Sequence, residues 1–264
     1  MAEPLMTTRD GHVESWTLNI PQERNPISGA DMIDALVAAA MRVSADPAVR
    51  AVVLTGMGPA FSAGGDLRAM AGKTGMFASD DLAVGYRDGI QRIARALFSC
   101  TTPLIAAVNG PAVGAGFDLA LMCDLRIASS TAFFAESFVK VGLVPGDGGA
   151  FFLPRVVGAA RAVELALTGD RISAETALEW GVVSRVVPPE ELLGTARDLA
   201  HRIAANPPIA VRRTKELFRD SSMASLDVVL DRSAAFQAEL HETVDHAEAV
   251  SAFLEKRTPE FTGK

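Results

Sequence analysis

Apolar and polar residues alternate through Trp16, Thr17, Leu18, Asn19 and Ile20, the period-two signature of a half-buried strand, and Pro21 closes it. The period then changes. Met32, Ile33, Leu36, Val37, Ala40 and Met41 recur at helical spacing, which predicts a helix capped by Ser28 and stopped at Asp46-Pro47. An unbroken apolar run, Ala51-Val-Val-Leu-Thr55, follows as a buried strand. The same change of period recurs downstream. Asp81 to Phe98 reads as an amphipathic helix, Pro103 opens the apolar strand Leu104-Ile-Ala-Ala-Val108, and a helix starts near Gly116. Short strands are expected at Leu125 to Ala128 and Ala132 to Phe134. The turn Pro145-Gly-Asp-Gly-Gly149 then leads into a helix carrying Phe151, Phe152 and Leu153. From Ala174 onward helices dominate, broken by a strand at Val182 to Val187 and by Pro188-Pro189 and Pro207-Pro208. The last helix is predicted to run from Leu226 to Glu255.

Strands alternating with helices predict an α/β fold, with a core over residues 1–200 and a helical region over 201–264 belonging to the same functional unit. One stretch, Arg68 to Ser79, mixes Gly, Lys and Met without a clear period and is expected to form a lid.

Composition narrows the function. The chain has 264 residues, 49% of them hydrophobic, enough for a full buried core. A net charge of −7 with no Lys/Arg-rich run argues against a nucleic-acid surface. The segment Met1 to Thr8 lacks a charged stretch followed by an apolar one, and no run approaches about 18 uninterrupted apolar residues; a cytoplasmic protein with no membrane partner is expected. Cys100 and Cys123 both stand among apolar residues and read as plain core thiols in a reducing compartment.

The chemistry is concentrated in two glycine-rich stretches, each placed after an apolar strand: Phe61-Ser-Ala-Gly-Gly-Asp-Leu67 and Asn109-Gly-Pro-Ala-Val-Gly-Ala-Gly-Phe-Asp118. Glycine removes the Cβ that holds a ligand away from the main chain, so two such turns can aim two amide N–H groups at one oxygen. Gly110-x-x-x-Gly114-x-Gly116 also matches a dehydrogenase cofactor turn, but the mechanism of that class needs a Tyr-x-x-x-Lys pair. The only tyrosine, Tyr86, has Ile90 four residues on.

Taken together and in this order, the motifs resemble the crotonase superfamily of enoyl-CoA hydratases and isomerases, and the resemblance runs over nearly the whole chain. It implies a crotonase (ClpP/crotonase-like) spiral of strand, strand, helix units with a C-terminal helical region, assembled as trimers or dimers of trimers. It also implies an acyl-CoA substrate, no separate cofactor, and an enolate held by the N–H groups of Gly65 and Ala115. The CoA portion is expected against Arg24 and Pro26 and along Ala63, Asp66 and Leu67.

The acid and base depart from the family's hydratases, in which two glutamates hold the water that is added. Here those positions are Asp118, one methylene shorter, and Phe138, which moves no proton and lines the substrate site instead. Asp147 is the next candidate, divided between a proton shuttle and a helix N-cap. Phenylacetate-pathway isomerases, which the C-terminal end resembles, carry an aspartate one position earlier, where Gly146 stands. Glu136 is a weaker alternative whose plainest role is an exposed strand carboxylate. With aspartates beside an oxyanion hole, double-bond isomerisation is favoured over hydration, and acyl-CoA binding without turnover is the third alternative. His241 and His246, five apart, read as a solvated helix face because a helical zinc pair needs a spacing of four.

Overall fold

The computed structural model describes residues 3–264. Its N-terminal strand pair is antiparallel: β1 (Leu5–Asp10) precedes β2 (Val13–Leu18), and only β2 overlaps the predicted strand. β1 buries just Leu5, so it carries no alternating signal to read. Helix α1 (Ala30–Ala45) then crosses to β3 (Ala51–Gly56), which pairs in parallel with β2. Ser28 does not cap α1. Gly29 holds the N-cap position, and the Ser28 hydroxyl accepts the N–H of Asp66 at 2.8 Å, tying the two loops together.

The expected lid is more regular than its sequence suggested: α2 (Leu67–Gly72) is followed by a 3₁₀ turn at Gly75–Ala78. The single helix expected from Asp81 is two, α3 (Leu82–Asp88) and α4 (Gln91–Ser99), parted at Gly89. A Cβ on Gly89 would run into the Gly85 carbonyl and the side chain of Met76, so the break packs against the 3₁₀ turn.

Three short cycles build the rest of the core. β4 (Leu104–Val108), β5 (Ala112–Val113) and α5 (Ala115–Met122) form one. β6 (Leu125–Ser129), β7 (Phe133–Ala135) and α6 (Gly149–Val157) form the next, with α7 (Ala159–Thr168) beside α6. β8 (Arg171–Ser173), α8 (Ala174–Glu179) and β9 (Arg185–Val187) close the series. The predicted strand at Val182 to Val187 is thus confined to its last three residues; Val182 and Val183 are buried in the preceding turn.

Each cycle gives one strand to a six-stranded sheet, ordered β1-β2-β3-β4-β6-β9, and one to a small sheet, ordered β5-β7-β8. A parallel bridge from Ser62 to Ala112 adds the segment after β3 to the small sheet. The repeat is therefore a spiral of strand, strand, helix, and it stacks the end of one turn beside the end of the next.

The central strands β3 and β4 of the large sheet are buried on both faces because their apolar residues run without a polar alternation. Val52, Leu54, Ala106 and Val108 face α1, α4 and α5. Val53, Ile105, Ala107 and Ile127 face α9 (Leu192–Ala204), whose Leu192, Ala196, Ala200 and Ala204 form one stripe. The expected boundary after residue 200 falls inside α9. The helix belongs to the sheet layer, and the chain leaves that layer at Asn206-Pro207. Beyond it lie α10 (Pro208–Ser221), α11 (Leu226–His241) and α12 (Val244–Glu255). The last expected helix is two because Thr243 caps a new start by accepting the N–H of His246 at 3.1 Å. His241 and His246 consequently lie on different helices, with ring centroids 4.4 Å apart, and not on one helix face.

Candidate active site

The stacking of spiral turns brings the two glycine stretches into contact. Gly64 has φ +88°, open to glycine and strained for other residues, and a Cβ there would stand 3.1 Å from the Ala115 nitrogen and overlap the Val113 carbonyl. Gly114, φ +52°, turns the chain into α5, leaving Ala115 at the first helical position, where the N–H has no partner within the helix. Among the described residues the N–H groups of Gly65 and Ala115 have no hydrogen-bond acceptor. Both residues line one cleft of about 510 Å³.

That cleft gathers most of the expected residues. Arg24, Pro26, Ala63, Asp66, Leu67, Phe138 and Asp147 all border it. Its mouth is fixed by Asn25, fully buried, whose amide donates to the carbonyls of Met57 and Ala60 at 2.9 Å and Phe61 at 3.2 Å and accepts the Ile20 N–H at 2.9 Å. Arg24 and Asn25 both take left-handed backbone angles, and the Arg24 carbonyl accepts the Ala63 N–H at 2.8 Å. Asp66 caps α2 through the N–H groups of Arg68 and Ala69. The inner wall is largely apolar, formed by Met70, Met76 and Phe77 from the lid, Ile90 at the start of α4, and Phe138, Val141 and Leu143.

Asp147 is the buried carboxylate on this wall. It is 3% exposed, its Oδ1 has no hydrogen-bond partner, and burial raises its pKa to about 6. It does not cap α6, whose N-cap position is Gly148 with no side-chain hydrogen bond. Tyr86, carried into the cleft by α3, sits beside the Asp147 turn and has its phenol pKa raised by burial and then by the Asp147 charge. Nothing in the sequence pointed to Tyr86 beyond its being the only tyrosine.

Asp118 stands elsewhere. It is fully buried in the first turn of α5, does not border the cleft, and its Oδ2 accepts the Gly149 N–H at 3.0 Å. Its carboxyl is held well above the usual carboxylate range by burial, with Glu136 and Asp147 adding to the shift. Glu136, expected as an exposed strand carboxylate, is also fully buried; burial pushes it up to about 8. The 3₁₀ turn after β7 folds Glu136 inward while Phe138 takes the cleft wall.

Residues 8–264 match the model of the family described as enoyl-CoA hydratase/isomerase. The chain belongs to that family. It is 38% identical to a 1,2-epoxyphenylacetyl-CoA isomerase of Escherichia coli over the full length of both, and 37% identical to a 2,3-dehydroadipyl-CoA hydratase of the same organism, covering 98% of this chain and 99% of that one. A crystal structure of an enoyl-CoA hydratase from Bacillus anthracis superposes with a TM-score of 0.93 at 34% identity, over 99% of this chain and 100% of that one. The fold is the crotonase fold, and the chain is an enzyme of the enoyl-CoA hydratase/isomerase family. Among the described residues there is no cluster of three metal-binding side chains and no helix long and apolar enough to cross a membrane.

Proposed function

We propose that this enzyme moves a double bond along the acyl chain of an acyl-CoA thioester, with the enolate oxygen held by the N–H groups of Gly65 and Ala115 and the proton carried by Asp147. The observation that carries this reading is a single buried carboxylate on a largely apolar inner wall that it shares with a phenylalanine and not with a second buried carboxylate. One carboxylate suffices to take a proton from one carbon and return it to another, whereas addition of water needs a group to hold and deprotonate the water as well. Two unpartnered N–H groups facing the cleft stabilise the developing oxyanion, and the positive end of α5 adds to them. A pKa near 6 leaves Asp147 mostly ionised at neutral pH yet basic enough to accept a carbon-bound proton.

Arg24 at the mouth is the proposed partner of a CoA phosphate, and the Ala63 to Leu67 backbone the rail for the pantetheine arm. No separate cofactor is required by this chemistry. Trimer or dimer-of-trimers assembly is proposed from the helical tail, where Phe253 is 84% and Leu254 74% exposed in the single chain. A cytoplasmic location accords with two buried, unpaired thiols.

The test is product analysis with 3-enoyl- and 2-enoyl-CoA thioesters. Interconversion of the two alkenes supports isomerisation; accumulation of a 3-hydroxyacyl-CoA assigns hydration in its place.

A further inference from the structure

Asp118 and Glu136 converge on a single point. A Cβ placed on Gly149 would overlap both Glu136 Oε1 and Asp118 Oδ1, so the two carboxyl groups crowd together beneath the first residue of α6. Both are 0% exposed, and neither borders the cleft. Asp118 Oδ2 is occupied by the Gly149 N–H, while Asp118 Oδ1 and both Glu136 oxygens have no donor facing them. Two ionised carboxylates only accept hydrogen bonds, so a bond between them exists only when a proton lies there.

Among the described residues no cation offers an alternative. Arg155 of α6 lies over the Phe151 ring, Arg161 of α7 over Trp180 and Arg171 of β8 over Phe133. Lys140, in the 3₁₀ turn after Glu136, pairs with Asp170 at 3.8 Å on the surface. The only charged group acting on both carboxyls is Asp147, of the same sign. Uncompensated like charges this close do not both ionise inside a protein.

We infer that Asp118 and Glu136 share a single proton as a monoanionic clasp beneath Gly149, its remaining charge facing the Gly149 N–H, and that Glu136 is thereby a positioning residue that seats the Asp147 turn against the cleft. This rests on the proposed role of Asp147. The clasp holds the N–H of Gly149, two residues beyond Asp147, so loss of the proton to solvent leaves two buried charges repelling each other and the start of α6 unseated. Gln91, whose side-chain amide donates to the Gly146 carbonyl at 2.9 Å, secures the turn from its other side.

The test is a pH titration of the unliganded wild-type enzyme by difference infrared spectroscopy, paired with pH–rate profiles of wild type, E136Q and E136A. A buried protonated-carboxyl band at pH 7.5 that disappears above about pH 9 is expected, and E136Q, which mimics the protonated state, should diminish it. Wild-type kcat/KM should fall above about pH 8, E136Q should keep its rate to higher pH, and E136A should lose at least about tenfold in kcat with little change in KM. Absence of the band at pH 7.5 overturns the inference even if no variant folds. So does an alkaline limb identical in wild type and E136Q. Should D147N turn over normally while the band and its E136Q dependence persist, the role given to Asp147 fails and the shared proton stands.

Discussion

Gly64 and Ala115 come from successive turns of the spiral, and the missing side chain of one makes room for the main-chain nitrogen of the other at 3.1 Å. Substituting Gly64 by alanine combines a disfavoured positive φ with overlap of the Val113 carbonyl. A stability loss of about 2–4 kcal/mol is expected, with activity falling further as Ala115 is displaced; denaturant melts and kcat of G64A measure both.

The Ala115 N–H can be removed with little disturbance to the fold. Proline is tolerated at the first position of a helix because its fixed φ suits the helix and its missing N–H has no helical partner. A115P also sets the ring Cδ where the N–H proton stood, so kcat should fall by at least about 10²–10³ and affinity for a saturated acyl-CoA, measured by calorimetry, by a smaller factor. A variant that loses affinity and kcat equally would mean the N–H acts in ground-state binding.

Asn25 makes a different prediction, about the mouth of the cleft. Its amide donates to three main-chain carbonyls, those of Ala60 and Phe61 in buried bonds, so N25D, which replaces donors with a buried charge, should destabilise the protein by at least about 3 kcal/mol. N25A should cost about 2 kcal/mol and raise KM for acyl-CoA through Arg24 and Ala63. Thermal melts and initial rates distinguish the two effects.

Much of this was legible in the sequence and some was not, for identifiable reasons. The two glycine stretches announced themselves because tight main-chain approach admits few residue types, and Gly65, Ala115, Asp147 and Phe138 do line one cleft. Glu136 was hidden: alternation places a residue on one side of a strand or the other, but the chain turns into a 3₁₀ helix at Ser137, where the period of two no longer applies. Asp118 occupies a position matched by the motif yet points away from the cleft, toward Gly149. The break at Gly89, which lets α3 carry Tyr86 over the cleft, depends on contact with Met76, and local helical spacing has no access to that contact.

Stability should depend on pH with an unusual sign above the acid range. Asp118, Glu136 and Asp147 all have native pKa values above those of unfolded carboxyls, so the native state binds more protons than the unfolded one. Their contribution is fully present below about pH 4 and is lost as pH rises through about 6 for Asp147 and about 8 for Glu136. Glu248, lowered to about 2 chiefly by its hydrogen bond to Arg257, acts oppositely and only at acid pH. Melting temperature should therefore decline from about pH 5 to pH 9, and a rise across that interval would contradict the assigned directions.

Under the proposed function, Phe138 sets the choice between the two reactions. Its ring lies 3.7 Å from where a Cβ on Gly114 would sit, beside the proposed oxyanion hole. F138E supplies a second carboxylate there, and the ratio of hydrated to isomerised product should rise at least about tenfold, read by chromatography of the thioesters.

The central claim is that Asp147 carries the proton, and the most direct measurement of it is turnover of a 3-enoyl-CoA by wild type and D147N in heavy water, with products resolved by mass spectrometry. The expected result is a deuterium-bearing 2-enoyl-CoA from wild type, without the mass of added water, on an acid limb near pH 6, and a rate at least about 10²-fold lower from D147N. Turnover by D147N within a few-fold of wild type, or a hydrated product as the main species from wild type, would contradict the account.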